Sequence, residues 1–202
     1  VRALKAKTTP IKVMEMAGMV KEEHSKVPLA LLTYYNPIFH MGLDRFFNLA
    51  SEYGIDGIII PDLPVEEAEE YRNLAIDHGI DTIFLATPNT TEERLERIIS
   101  YTSGFLYLVS IFGVTGARET IHDLTLKTMR RLLPRIEGRI PLAVGFGISE
   151  PEHVRTIIRN GADGAIVGSA FVRIIEKNQY SPEEMAGELR EKASELKTGT
   201  KP

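Results

Sequence analysis

A glycine, an apolar residue and an aspartate stand together three times, as Gly54-Ile55-Asp56, Gly79-Ile80-Asp81 and Gly161-Ala162-Asp163. Each triplet falls just after an amphipathic stretch and just before a short apolar run. Glycine can take the left-handed conformation that ends a helix. The apolar residue then turns inward, and the aspartate takes the solvent-facing base of the next strand. A recurring helix-to-strand junction predicts quasi-repeated αβ units, and strands alternating with helices predict a parallel sheet.

The strand candidates are Leu29–Thr33, Gly57–Ile60, Thr82–Ala86, Phe105–Val109, Leu142–Val144 and Gly164–Val167. Each is too short for a helix, and several are apolar throughout, as strands covered on both faces are. Helices are expected at 11–23, 44–53, 65–78, 92–101, 124–136, 151–160 and 182–196. Thr9-Pro10, Ser149-Glu150-Pro151 and Ser181-Pro182 read as start signals, with a capping hydroxyl ahead of a first-turn proline. Apolar residues make up 43% of the 202, enough for one sizeable core. The net charge of −4 argues against nucleic acid as a partner. No apolar run approaches a membrane span, and no signal-peptide pattern is present. The absence of cysteine removes disulfides, thiolate chemistry and cysteine-based metal sites, which fits a cytoplasmic enzyme. The five histidines, His24, His40, His78, His122 and His153, lack metal-ligand spacing and read as surface or loop residues.

An open doubly wound sheet and a closed barrel both fit the alternation. The barrel is favoured because its usual phosphate site, between the loops after the last two strands and a short extra helix, can be recognised. The Leu142–Val144 strand runs into Gly145-Phe146-Gly147-Ile148-Ser149, and Gly164–Val167 runs into Gly168-Ser169-Ala170-Phe171. Missing side chains let backbone N–H groups approach phosphate oxygens. Residues 169–175 can form one or two helical turns, whose free N–H groups and dipole favour an anion. A third glycine loop, Gly113-Val114-Thr115-Gly116-Ala117, follows the Phe105–Val109 strand. Any one of these loops taken alone is equally a tight turn.

With these residues in place, the chain resembles the α subunit of tryptophan synthase. The matching stretches are 31–36 (Leu-Leu-Thr-Tyr-Tyr-Asn), 61–67 (Pro-Asp-Leu-Pro-Val-Glu-Glu), 107–110 (Tyr-Leu-Val-Ser), 113–117, 145–149 and 168–170, and their order and spacing carry the match. The resemblance implies a lyase of tryptophan biosynthesis that cleaves indole-3-glycerol phosphate to indole and glyceraldehyde 3-phosphate. Indole would then pass to a β subunit holding pyridoxal phosphate, with no cofactor in this subunit. It further implies that Gly116, Gly147, Gly168 and Ser169 hold the substrate phosphate. Leu32, Ile59, Pro61 and Phe146 would line the indole pocket, and Tyr107 would stand beside the catalytic acid. Thr115 would belong to the closing loop, and Asp62 and the Asn36-Pro37 loop would lie toward that loop and the β-subunit side. Read without the resemblance, Tyr107 is a packing residue, Asp62 a helix cap or turn residue, and Leu32, Ile59 and Phe146 plain core.

An eight-stranded barrel has two more βα units than are found here. The expectation is one (β/α)8 TIM-barrel domain over 1–202, supplying strands three to eight and lacking the first two units. The family's catalytic glutamate and aspartate lie at the ends of those two strands. Carbon–carbon cleavage of this substrate needs protons moved at the indole ring, its N–H and the glycerol hydroxyl, work suited to two placed carboxyls. No carboxylate here fills either position by motif, so the 202-residue chain alone is expected to be inactive. Its outer strands, Leu29–Thr33 and Gly164–Val167, are expected to present open edges. Two other functions are compatible with a phosphate site. One is another barrel enzyme such as indole-glycerol-phosphate synthase, against which 61–67 and 113–117 speak. The other is a non-catalytic binding or regulatory subunit.

Overall fold

Gly54, Gly79 and Gly161 all lie in the left-handed region, with φ of 71°, 65° and 99°. The following amide turns back onto the helix: Ile55 to Ala50 O at 2.9 Å, Ile80 to Ala75 O at 2.9 Å, Ala162 to Ile157 O at 3.1 Å. This is the Schellman ending, and the apolar residue that completes it is buried each time. Two of the aspartates do more than mark a strand base. Asp56 donates its N–H to Leu29 O at 2.8 Å and accepts the Leu29 N–H on its carboxylate at 2.6 Å. Asp163 holds Leu142 in the same way, at 2.9 and 2.8 Å. Each thereby ties its own strand to the entry of the neighbouring one.

The computed structural model describes residues 5–110, 112–115, 118–121 and 123–201, those from 112 to 121 by backbone alone. The chain divides into two compact units. The first, Val1–Phe84 with Glu92–Phe105, contains α1 (Pro10–Glu23), β1 (Ala30–Leu32), α2 (Tyr35–Met41), α3 (Leu43–Glu52), β2 (Gly57–Ile59), a 3-10 turn (Val65–Glu67), α4 (Glu69–Asp77), β3 (Asp81–Ile83) and α5 (Glu92–Tyr101). Its sheet is parallel, in the order β1-β2-β3. β2 is buried along its length, and α3 presents Phe46, Phe47 and Ala50 inward. The Tyr71 ring stacks 5.6 Å from Phe47, and its hydroxyl donates to Ile58 O at 3.1 Å.

The second unit, Leu85–Thr91 with Leu106–Pro202, contains β4 (Leu85–Ala86), β5 (Leu106–Val109), β6 (Phe112–Thr115), β7 (Arg118–Ile121), α6 (Asp123–Ile136), β8 (Leu142–Gly145), α7 (Pro151–Arg159), β9 (Gly164–Ile166), α8 (Ser169–Lys177) and α9 (Pro182–Lys197). Its sheet is parallel in the order β4-β5-β8-β9, and β6 and β7 form a separate antiparallel hairpin. Leu106, Leu108, Met129, Leu132, Leu142, Val144 and Ile157 form its interior. β1 and β9 lie at outer positions of their sheets and are less covered than β2.

Several elements differ from the sequence reading. The 82–86 run is two strands, Asp81–Ile83 pairing with β2 and Leu85–Ala86 pairing with β5, and the Phe84 ring between them packs edge-on against Tyr71 and Tyr101 at 6.2 Å each. The 65–78 helix is a 3-10 turn followed by α4. Of the three expected hydroxyl caps, Thr9 accepts the Lys12 N–H at 3.3 Å, whereas Ser181 makes no side-chain cap bond and Glu150 stands at the N-cap of α7 in place of Ser149.

Asp56 also meets Lys21 Nζ at 2.7 Å. Burial resists its charge, but the hydrogen bonds from Lys21 and the Leu29 N–H, with the Lys21 charge, hold the carboxyl below its ordinary pKa. The stability this contributes is fully present above the unfolded-state pKa and is lost as pH falls through the lower folded value. Asp56→Asn is expected to cost about 1 kcal/mol or less at neutral pH, because the pair is partly solvated. It should also flatten the acid limb of stability against pH. Thermal melts from neutral pH into the carboxylate range check this, and an unchanged acid limb would refute it.

Candidate functional site

Parallel pairing sets Val109 against Gly145 and Gly145 against Ile166, so β5, β8 and β9 finish at the same end of their sheet. The Gly145–Ser149 loop and the Gly168-Ser169 junction both leave from that end, and Gly147, Gly168 and Ser169 are exposed there. α8 begins directly at Ser169, with Gly168 as its N-cap and no side-chain cap bond. Its first bond closing the helix runs from the Val172 N–H to Gly168 O at 3.1 Å. The N–H groups of Ser169, Ala170 and Phe171 therefore lack intrahelical acceptors. No acidic side chain occupies the first turn. A Cβ built on Gly168 would meet nothing within 4 Å. The arrangement can receive an anion on backbone donors.

Phe146 and Gly147 both have positive φ, 78° and 76°. For glycine this is unstrained, but for phenylalanine it is uncommon and costly. Phe146 is 63% exposed, so core packing does not hold it there. The Ser110 hydroxyl does contact this backbone: Oγ lies 2.5 Å from both Gly145 O and Phe146 O, and the Ser110 N–H donates to Gly145 O at 2.7 Å. Tyr107, 5% exposed, lies against Gly145, whose bare α-carbon leaves room for the ring; an added Cβ would come within 2.5 Å of the phenol oxygen. Burial raises the Tyr107 pKa. Its hydroxyl has no hydrogen-bond partner among the described residues.

The remaining candidates lie elsewhere. In the first unit, Leu32 and Ile59 are register partners on β1 and β2, the first 60% and the second 6% exposed. Pro61 and Asp62 stand exposed in the turn after β2. Asp62 accepts the Tyr35 N–H at 2.9 Å and so caps α2, a helix that occupies the place of the expected Asn36-Pro37 loop. In the second unit, Thr115 ends β6 opposite Arg118, and Gly116 lies outside the described residues. His153 is not a surface residue: it is buried in α7, with Nδ1 3.4 Å from the Ser149 N–H. Sequence reasoning places Gly145 in the glycine loop without seeing Tyr107 beside it, and misses Ser110 as a functional candidate, since a serine ending a strand is locally ordinary. Among the described residues no group of acidic or histidine side chains could hold a metal ion, and no helix is long and apolar enough to cross a membrane.

Parallel βα units with glycine loops and a bare helix start at the carboxyl ends of their last strands define an α/β protein of the TIM-barrel class. The family model described as tryptophan synthase alpha chain matches residues 1–201. The chain belongs to the tryptophan synthase α chain family. It is 47% identical over 196 residues to the tryptophan synthase alpha chain of Methanoregula boonei, covering 97% of this chain and 73% of that protein. It is 45% identical to that of Methanothermobacter thermautotrophicus, covering 97% and 72%. Among solved structures it superposes on a chain of the tryptophan synthase a2b2 complex from Pyrococcus furiosus with a TM-score of 0.87 and 43% identity, covering 96% of this chain and 76% of that one.

Proposed function

We propose that this chain belongs to the α subunit that cleaves indole-3-glycerol phosphate to indole and glyceraldehyde 3-phosphate in tryptophan biosynthesis. The observation that carries the reading is the pair of glycine loops and the bare start of α8 at one end of the β5-β8-β9 sheet, in a chain of this family. Gly147, Gly168, Ser169 and Gly116 hold the phosphate, chiefly through backbone N–H groups. Leu32, Ile59, Pro61 and Phe146 line the indole pocket, Tyr107 stands beside the acid, and Thr115 belongs to a closing loop. Asp62 serves the partner-facing side through its cap on α2. The partner is a β subunit carrying pyridoxal phosphate, which consumes the indole, and the setting is cytoplasmic. Residues 1–202 form one β/α-barrel domain. The a2b2 assembly of the Pyrococcus furiosus relative supports the partner. The family match over residues 1–201 weighs against another phosphate-barrel enzyme.

Gly168 is the cleanest probe of the phosphate site. Its φ of −122° is not left-handed, and an added Cβ meets no protein atom within 4 Å. Gly168→Val is therefore expected to leave the fold intact and fill space that a phosphate oxygen would use. Gly147→Val should weaken binding too, but its φ of 76° adds backbone strain. Calorimetric titration of the complete gene product with glycerol 3-phosphate should show affinity falling by about tenfold or more, about 1.4 kcal/mol. Unchanged affinity in a folded Gly168→Val protein would remove this site from the account.

A further inference from the structure

We propose that Ser110 is a positioning residue for this site, holding the Gly145–Phe146 backbone so that the Gly147 N–H faces the ligand. The inference rests on the phosphate reading above and deepens it. Ser110 follows β5 directly and is 6% exposed. The β5–β8 ladder ends at the Val109–Gly145 pair, with one further bond from the Ser110 N–H to Gly145 O. Beyond it, the Ser110 hydroxyl reaches Phe146 O at 2.5 Å. That carbonyl and the Gly147 N–H belong to one planar peptide unit, and the chain has no cis peptide among the described residues. In a trans unit the two groups point in opposite directions. A hydroxyl that holds the carbonyl inward therefore aims the N–H outward, where Gly147 is exposed. The same bond explains how Phe146 keeps a left-handed backbone with its ring largely in solvent. One proton serves two carbonyls, since Gly145 O is also 2.5 Å from Oγ. Removing the hydroxyl leaves Phe146 O without this donor and frees the peptide to rotate.

The test uses the complete gene product and its Ser110→Ala and Ser110→Thr variants, titrated calorimetrically with glycerol 3-phosphate and, separately, with indole. Ser110→Ala is expected to weaken glycerol 3-phosphate by about tenfold while indole affinity changes by less than about twofold. Ser110→Thr, which keeps the hydroxyl, should restore phosphate affinity to within about threefold of the parent. In turnover the alanine variant should raise KM for the phosphorylated substrate more than it lowers kcat. Should Ser110→Ala fail to fold, Ser110→Cys, a somewhat larger side chain with a weaker donor, is expected to give the same order of effects. Parent-like phosphate affinity in the alanine variant overturns the positioning role and leaves the phosphate site standing. Equal loss of both ligands also overturns it, by pointing to general damage. Failure of the unaltered protein to bind glycerol 3-phosphate overturns the phosphate reading itself, and this inference with it.

Discussion

Residues 1–202, purified as such, are expected to release no measurable indole from indole-3-glycerol phosphate, with or without a β subunit. The proposed phosphate donors at Gly147, Gly168 and the start of α8 are all contained in this stretch. Holding a phosphate on backbone N–H groups does not move a proton, however, and the lyase reaction requires protons to be delivered and removed. By the resemblance, no carboxylate of residues 1–202 takes the place of a catalytic glutamate or aspartate. One placed acid–base group contributes about 10²–10⁴-fold, so lacking both should cost at least that much. Glycerol 3-phosphate binding should survive far better than turnover. Indole release near the rate of a complete α subunit would place the catalytic carboxyls within these residues and displace the proposed site.

Gly145→Ala is expected to be strongly damaging to the second unit. The added Cβ would lie 2.5 Å from the Tyr107 oxygen, 2.6 Å from Cε2 and 2.8 Å from Cζ, all below van der Waals contact. These atoms belong to a rigid ring that is nearly fully buried and cannot swing aside cheaply. Either the ring or the Gly145–Ser149 loop must move, at a cost of about 1–3 kcal/mol in stability. A displacement of about 1 Å in that loop can reduce kcat/KM by about 10²-fold. The clash also predicts its own relief. Tyr107→Ala combined with Gly145→Ala should cost less than the sum of the two single changes, so that the two effects are not additive. Tyr107→Phe should not relieve it, because Cε2 and Cζ remain in place. Thermal denaturation and steady-state kinetics of the complete gene product carrying the single and double variants would test this. Gly145→Ala with parental stability and activity would show that the ring and backbone are not so tightly apposed.

The elements legible in the sequence are those whose cause is local. A glycine ending a helix, the apolar residue that folds back after it, and a threonine ahead of a first-turn proline act within about one turn, and the start of α1 and the three Schellman endings follow from them. Apolar runs flanked by such endings predict parallel strands, and the sheets are parallel. The glycine loops after β8 and β9 are legible as loops for the same reason.

What tertiary structure decided depends on partners distant along the chain. α2 contains Pro37 and reads as a loop, yet a proline in the first turn removes only an N–H that no helical carbonyl would accept. Its start is capped by Asp62, which the β1–β2 pairing brings alongside. Phe84, between β3 and β4, meets two rings supplied by α4 and α5. Gly145 reads as a turn glycine until the β5–β8 register sets Tyr107 beside it, and Ser110 reads as a strand end until the same register brings its hydroxyl to Phe146 O. Backbone preference sets which segments become helix or strand, because it acts over a few residues. Strand register sets which side chains share a site, because it is chosen by burial of the whole sheet.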